Sequence, residues 1–140
     1  MTTNTTPSFP ASRRDPRQVP NTLKRTLNYN DSDIAQAGFF NALPKGAVIL
    51  QVIVEIITAF NAGTTNPITV GTNSATYNNI ATTGDINAAA VGVNLPTRGL
   101  GQAIAAAADT PVYATYAPTG NAPTAGQAQI TIVYEGGWAS

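Results

Sequence analysis

Between residues 47 and 60 the apolar positions recur with a period of two. Val48, Leu50, Val52, Val54, Ile56, Thr58 and Phe60 hold the even positions, with Gln51 and Glu55 among the odd ones. β-Branched residues dominate, so the run predicts a long strand or a bent pair of strand segments with its even face in the core. A helix here would be apolar nearly all round and built from weak helix formers. The odd face also carries Ile49, Ile53 and Ile57, more apolar surface than a solvent face needs. Either a second layer of the same subunit covers that face or a neighbouring subunit does. Ile49, Ile53 and Ile57 are therefore subunit-interface candidates.

Residues 127–135 alternate more cleanly. Ala128, Ile130, Ile132 and Tyr134 share one face, and Gln127, Gln129, Thr131, Val133 and Glu135 share the other, the pattern of a half-exposed antiparallel strand. Residues 111–117 alternate as well. The loop 118–126 between them carries Pro118, Gly120, Pro123 and Gly126 as turn punctuation, so the two runs are expected to form a hairpin. Shorter strands are expected at 23–30, 38–43, 68–72 and 76–80. Residues 85–91 read as a short helical turn capped by Thr83 or Asp85, and the alanine-rich 101–108 as an extended segment packed through small side chains. Many short strands with frequent turn signals in a chain of 140 residues predict an all-β jelly roll or antiparallel β-sandwich.

Composition changes the picture in two ways. Only 10% of residues are charged, well below the roughly 25% of ordinary soluble domains, so the surface is dressed in Thr, Asn, Ser, Gln and Ala. The formal net charge of zero also hides an asymmetry. Residues 1–25 hold Arg13, Arg14, Arg17, Lys24 and Arg25 against Asp15, a net +4; the remainder holds Lys45 and Arg98 against six carboxylates, a net −4. The first 22 residues, with Pro7, Pro10, Pro16 and Pro20 and few large apolar side chains, cannot bury enough surface to offset the entropy of ordering. The expected organisation is an extended basic N-terminal arm, 1–22, and a body, 23–140. Nucleic acid is not the expected partner, because the body is acidic and Phe9 is the only ring in the arm. Met1 is followed by polar residues rather than a signal-peptide pattern, and the longest apolar run is too short to span a membrane as a helix, so a soluble protein is expected.

Candidate chemistry is sparse. The chain has no Cys and no His, which removes thiolate nucleophiles, sulfur ligands and the usual general base near neutral pH. Asn30, Asp31 and Asp33 alternate as oxygen ligands would, but the following residues lack the Gly and distant Glu of a calcium loop, and a turn is the better reading. A carboxylate-only hydrolase would need two of Asp31, Asp33, Glu55, Asp85, Asp109 and Glu135 to meet across a cleft. Gly92, Gly99 and Gly101 lack the lysine of a phosphate loop and the spacing of a dinucleotide fingerprint. No catalytic residue, metal ligand or cofactor is assigned.

The stretch ALPKGAVILQVIVEIITAFNAGTTNPITVGT and the ending PTGNAPTAGQAQITIVYEGG together resemble the small cement, or decoration, proteins of tailed-bacteriophage heads. The resemblance covers about residues 42–135: a Leu-Pro-x-Gly-Ala lead into a long strand, an Asn/Gly/Thr loop, a strand ending in Val-Gly, and a last strand introduced by a Pro-Thr-Ala-Gly turn. Length and expected fold are similar to those of the jelly-roll type found on a Bordetella podophage head. The resemblance implies a non-enzymatic virion protein on the outer surface of the capsid, made in the host cytoplasm. Its implied partners are the major capsid protein and further copies of itself, as a homodimer or, alternatively, a trimer. On that reading Arg13, Arg14, Arg17, Lys24 and Arg25 are capsid-contact candidates. The competing class is a carbohydrate- or receptor-binding module of a phage fibre, for which the available rings are Trp138, Tyr113, Tyr116, Tyr77 and Tyr29.

Overall fold

The computed structural model describes residues 20–32 and 38–136, and Arg13, Arg14, Arg17, Asp33 and Trp138 lie outside them. The described chain forms seven strands: β1 (Asn21–Asn28), β2 (Gly38–Leu43), β3 (Val48–Thr58), β4 (Ile68–Gly71), β5 (Gly92–Asn94), β6 (Thr110–Tyr116) and β7 (Gln127–Glu135). They pair antiparallel in two sheets, ordered β1-β7-β3-β5 and β2-β6-β4. Each strand lies in the opposite sheet from the one before it. Every connection therefore crosses the sandwich, and the fold is the expected all-β sandwich of jelly-roll kind.

Alternation along each strand builds the core. Leu23 and Leu27 from β1, Val52, Val54 and Ile56 from β3, and Ala128, Ile130 and Ile132 from β7 point inward from one sheet. Phe40, Leu43, Ile68, Val70, Val112, Ala114 and Tyr116 meet them from the other. Burying each of the larger aliphatic side chains stabilises the fold by about 1.5–3 kcal/mol. At one end of the core the Phe60 and Tyr116 rings pack with centroids 4.6 Å apart, and the Tyr116 hydroxyl donates to Asn66 Oδ1 at 2.7 Å. Burial raises the Tyr116 pKa, keeping the phenol a neutral donor. Gly126, at φ +150°, lies so close to Phe60 that a Cβ there would enter the ring.

The central strand departs from strict alternation. Its pairing with β7 shifts register between Ile49 and Gln51 and again between Ile56 and Thr58. The first bulge reverses which parity faces inward: Ile49 is fully buried, and Leu50 is 43% exposed. The expected interface residue Ile49 is thus a core residue, because one extra residue in the strand sends every preceding side chain to the other face. The ladder opened by the bulge is completed from a loop, with the Gly101 N–H donating to Ile49 O at 2.9 Å. Ile53 and Ile57 remain on the outer face.

Four further expectations are corrected. Segments 111–117 and 127–135 are strands but not a hairpin: β6 and β7 belong to different sheets, and the ten residues between them are long enough to cross the sandwich. That loop is pinned to the end of β3, where Asn61 Oδ1 accepts from the Thr124 and Ala125 N–H groups. Residues 76–80 form a side-chain-bonded loop rather than a strand, because Asn73 Oδ1 accepts from Asn78 and Asn79 N–H and holds the chain in a turn. The helical turn is a 3-10 turn over Thr83–Asp85 capped by Thr82, and residues 86–91 leave it in a non-helical path. Residues 101–108 run through successive turns, the Ala105 carbonyl accepting from the Gly46 N–H at 3.0 Å.

The bulge makes a testable distinction between neighbouring isoleucines. Ile49→Ala is expected to cost about 2–5 kcal/mol, as for a buried large-to-small change. Ile57→Ala, on the outer face, is expected to cost within about 0.5 kcal/mol. Urea unfolding midpoints of the two variants check the assignment.

Candidate interaction surfaces

Among the described residues of the body, most charged groups are engaged in holding loops. Arg25 lies on the inward side of β1 between Leu23 and Leu27, where its guanidinium donates to the Phe39 carbonyl of β2 and stands 3.7 Å from Asp31. It ties the edge of one sheet to the edge of the other. Asp31 also accepts from the Asn28 N–H at 2.9 Å, which makes the Asn30–Asp31 segment a turn, as expected. Asp109 Oδ1 accepts from the Lys45 N–H at 2.8 Å. Asp85 accepts from the Thr82 N–H at 2.9 Å and pairs with Arg98 at 3.4 Å. The Thr82 N–H, and after it Arg98, hold the Asp85 pKa below its ordinary value against the opposing effect of burial.

These carboxylates serve separate turns, and none converges with another on a cleft. Among the described residues no three acidic groups gather where a metal ion would be held. A cleft of about 330 Å³ beside the β3–β4 loop is lined by Thr65, Asn66, Pro67 and Thr83, with no titratable group. Among the described residues it holds no general acid or base to activate the Thr65 or Thr83 hydroxyl.

The outer faces of the two sheets are the larger features, and they differ in kind. On the β1-β7-β3-β5 sheet, register places Lys24, Thr131 and Ile53 in one row and Thr26, Gln129, Glu55 and Val93 in the next. Among the described residues the Lys24 and Glu55 side chains make no hydrogen bond or ion pair. On the β7 side Glu55 faces Gln129, and on its β3–β5 side the surface is apolar: Ile53 and Ile57 from β3, and the exposed Val91, Val93 and Leu95 at the edge strand, Val93 being 60% exposed. Alternation in Val91-Gly92-Val93-Asn94-Leu95 is the sequence signal for this edge, but with three ladder residues β5 is too short to stand out beside neighbouring turns.

The outer face of the β2-β6-β4 sheet carries no charged residue in any of its three strands. Its centre is a row of rings. Phe39, 54% exposed, meets Tyr113 edge-on at 6.0 Å, and Tyr113 meets Tyr77 at 4.9 Å. Gly71 lies opposite Tyr113 on β4, and the 72–79 loop folds so closely over it that a Cβ would fall 2.5 Å from the Asn78 nitrogen. Tyr77, held at φ +43° by the Asn73 hydrogen bonds, thereby supplies the ring that β4 lacks. The row was hidden in the sequence because its three rings come from positions 39, 77 and 113. Of the other tyrosines, Tyr116 is buried and Tyr29 packs partly against the core.

No protein-family model matches the chain, and no curated protein matches it. Two solved structures share its fold. A chain of the cyanophage Pam1 capsid asymmetric unit superposes with a TM-score of 0.63 at 18% identity, over 82% of this chain and 83% of that one. A chain of the acid-stable capsid of Helicobacter pylori bacteriophage KHP30 superposes with a TM-score of 0.61, also at 18% identity, over 86% and 90%. Matching shares this similar mean that both chains are about as short as this one.

The Asp85 cap gives the fold a defined acid sensitivity. A depressed folded-state pKa contributes stability that is present above the unfolded value, near 3.8, and is lost as pH falls through the lower folded value. The melting temperature is therefore expected to drop as the medium is acidified below about pH 4. In Asp85→Asn that drop is expected to be smaller, and the melting temperature at pH 7 lower, as read from thermal scans between pH 2 and 7.

Proposed function

We propose that this protein is a capsid cement protein, bound to the outer surface of a phage head, where it bridges neighbouring major capsid protein subunits and stabilises the shell against packaged DNA. The observation that carries this reading is the fold shared over more than four-fifths of the chain with similarly short chains of two phage capsids. The body supports it, with two broad outer faces and no converging catalytic groups among the described residues. So does the low charge, since a surface of Thr, Asn, Gln and Ala is inexpensive to desolvate against another protein.

Arg13, Arg14, Arg17 and Lys24 are proposed to reach carboxylates of neighbouring shell subunits, the arginines by bidentate pairs. Arg25 is withdrawn from that set, its guanidinium being engaged with Phe39 and Asp31 within the subunit. Ile53 and Ile57, joined by Val91, Val93 and Leu95, are proposed as the self-association surface of a homo-oligomer. Contacts of this size are individually modest. An oligomer touching two capsid subunits at once gains from effective concentration and binds far more tightly than either contact alone.

One observation favours a second reading, a neutral-glycan-binding module: the uncharged face with its Phe39–Tyr113–Tyr77 row. The rings are tilted 55–66° from one another, however, rather than forming the flat platform on which a sugar stacks. A sugar-induced thermal shift that disappears in Phe39→Ala would favour this reading over cement.

The cement reading is tested on purified shells stripped of the protein. Full-length protein is expected to rebind to saturation. A chain lacking residues 1–19 is expected to show reduced occupancy, with the difference shrinking at high salt as the arm's ion pairs are screened. Equal occupancy of the two proteins at low and high salt would remove the arm from the mechanism, and no binding of the full-length protein would remove the cement reading itself.

A further inference from the structure

We infer that the apolar patch at the β5 edge is the docking site for the basic N-terminal arm of a second copy of this chain, with Arg13 or Arg14 paired to Glu55. This rests on and deepens the self-association reading above by naming the element that covers the patch, and it leaves the other of the two arginines, with Arg17 and Lys24, for the shell.

Exposed sheet edges invite pairing with foreign strands unless something blocks them, and three of the four edges here are guarded. At β2 the Phe39 carbonyl is taken by Arg25. At β4 the segment carrying Ile80 and Ala81 bridges to Val70, the Val70 N–H donating to Ala81 O at 2.9 Å. The β1 edge carries Lys24, a charge that disfavours apolar pairing. The β5 edge has no such device. Gly92, Val93 and Asn94 bear no charge, the Asn94 side chain turns back to the Val54 carbonyl, and Val91, Val93 and Leu95 stand in solvent.

Charge selects the occupant. Among the described residues Glu55 is the only ionisable group in the patch, lies opposite Val93 in the ladder, and its carboxylate has no partner. An apolar patch around one unpaired carboxylate fits an extended segment that brings a guanidinium together with apolar side chains. Residues 1–19 offer that composition. Between Pro10 and Pro16 they hold a proline-free run, Ala-Ser-Arg-Arg-Asp, long enough to match a three-residue edge strand, with Phe9 just before it. Arg13 and Arg14 are adjacent, so whichever register the run adopts, one of them faces the Glu55 side.

Direction favours a second copy over the chain's own arm. Asn21 pairs with Tyr134, which pairs with Ile49, so the chain joins its sheet where β3 starts. β5 lies against Val54, Glu55 and Ile56 towards the other end of β3, and at the opposite edge of the sheet, about 14 Å across. β1 therefore enters its sheet at the end far from the patch. Nineteen residues span at most about 65 Å, ample to reach a neighbour. Two copies that exchange arms form a closed two-fold pair, each patch covered by the other's arm.

The test uses full-length protein in solution, without shells, and follows trypsin cleavage of the Arg17–Gln18 bond by mass spectrometry across a range of protein concentrations. Cleavage is expected to slow as concentration rises, and to be at least about tenfold faster in Glu55→Lys at the highest concentration, the factor equivalent to about 1.4 kcal/mol. Combining Glu55→Lys with Arg13→Glu and Arg14→Glu reverses both charges and is expected to restore the slow cleavage. Urea midpoints confirm that the variants are folded, and the rescue guards against a destabilised Glu55→Lys. Equal cleavage in wild type and Glu55→Lys at every concentration, or no rescue, would overturn the inference. Protection that is independent of concentration would assign the arm to its own subunit and overturn it too. Protection seen only after shells are added would also overturn it, while leaving the cement reading intact.

Discussion

One constraint organises the molecule: each strand must give one face to a core shared with the opposite sheet, because the chain changes sheet at every connection. No adjacent pair of strands can form a local hairpin and be stable alone, so the apolar inner faces have value only when both sheets are assembled. Placing the inner faces fixes the outer ones as well. Every side chain that does not enter the common core is displayed on one of two broad surfaces, and the chemistry of those surfaces is the part left free for function.

The two surfaces divide the chemistry cleanly. One sheet presents Lys24, Glu55 and an apolar edge; the other presents uncharged rings and hydroxyls. Five further charges among the described residues, Arg25 with Asp31, Arg98 with Asp85, and the Asp109 carboxylate on the Lys45 N–H, are used to tie loops and sheet edges together. This explains how a chain with 10% charged residues sustains an ordered set of long connections. Side-chain amides and hydroxyls do much of the same work, as at Asn61 and Asn73, each of which accepts from two successive backbone N–H groups.

The sandwich was legible in sequence because period-two alternation is a direct imprint of a strand with one buried face, clearest in residues 127–135 and 48–58. What stayed illegible depended on a single residue or on distant ones. The bulge at Ile49–Gln51 inserts one residue into an otherwise regular strand, and alternation alone cannot locate it, so Ile49 read as an outer residue. The β6–β7 connection has the same local pattern whether it turns back within a sheet or crosses to the other. The Phe39–Tyr113–Tyr77 row depends on a glycine at position 71 and on a loop held by asparagine side chains. The outer-face positions of Ile53 and Ile57 followed from alternation, but their extension by Val91, Val93 and Leu95 required knowing that β5 lies beside β3.

On the proposed reading the protein acts through area, and its work is mechanical: to hold neighbouring shell subunits together. The most direct measurement is the temperature at which packaged heads release their DNA, followed with a DNA-binding dye, for heads stripped of the protein and for the same heads after it is added back. Release is expected at a lower temperature from stripped heads and to return to the original temperature on rebinding. Heads that release DNA at one temperature whether or not the protein is bound would contradict the account.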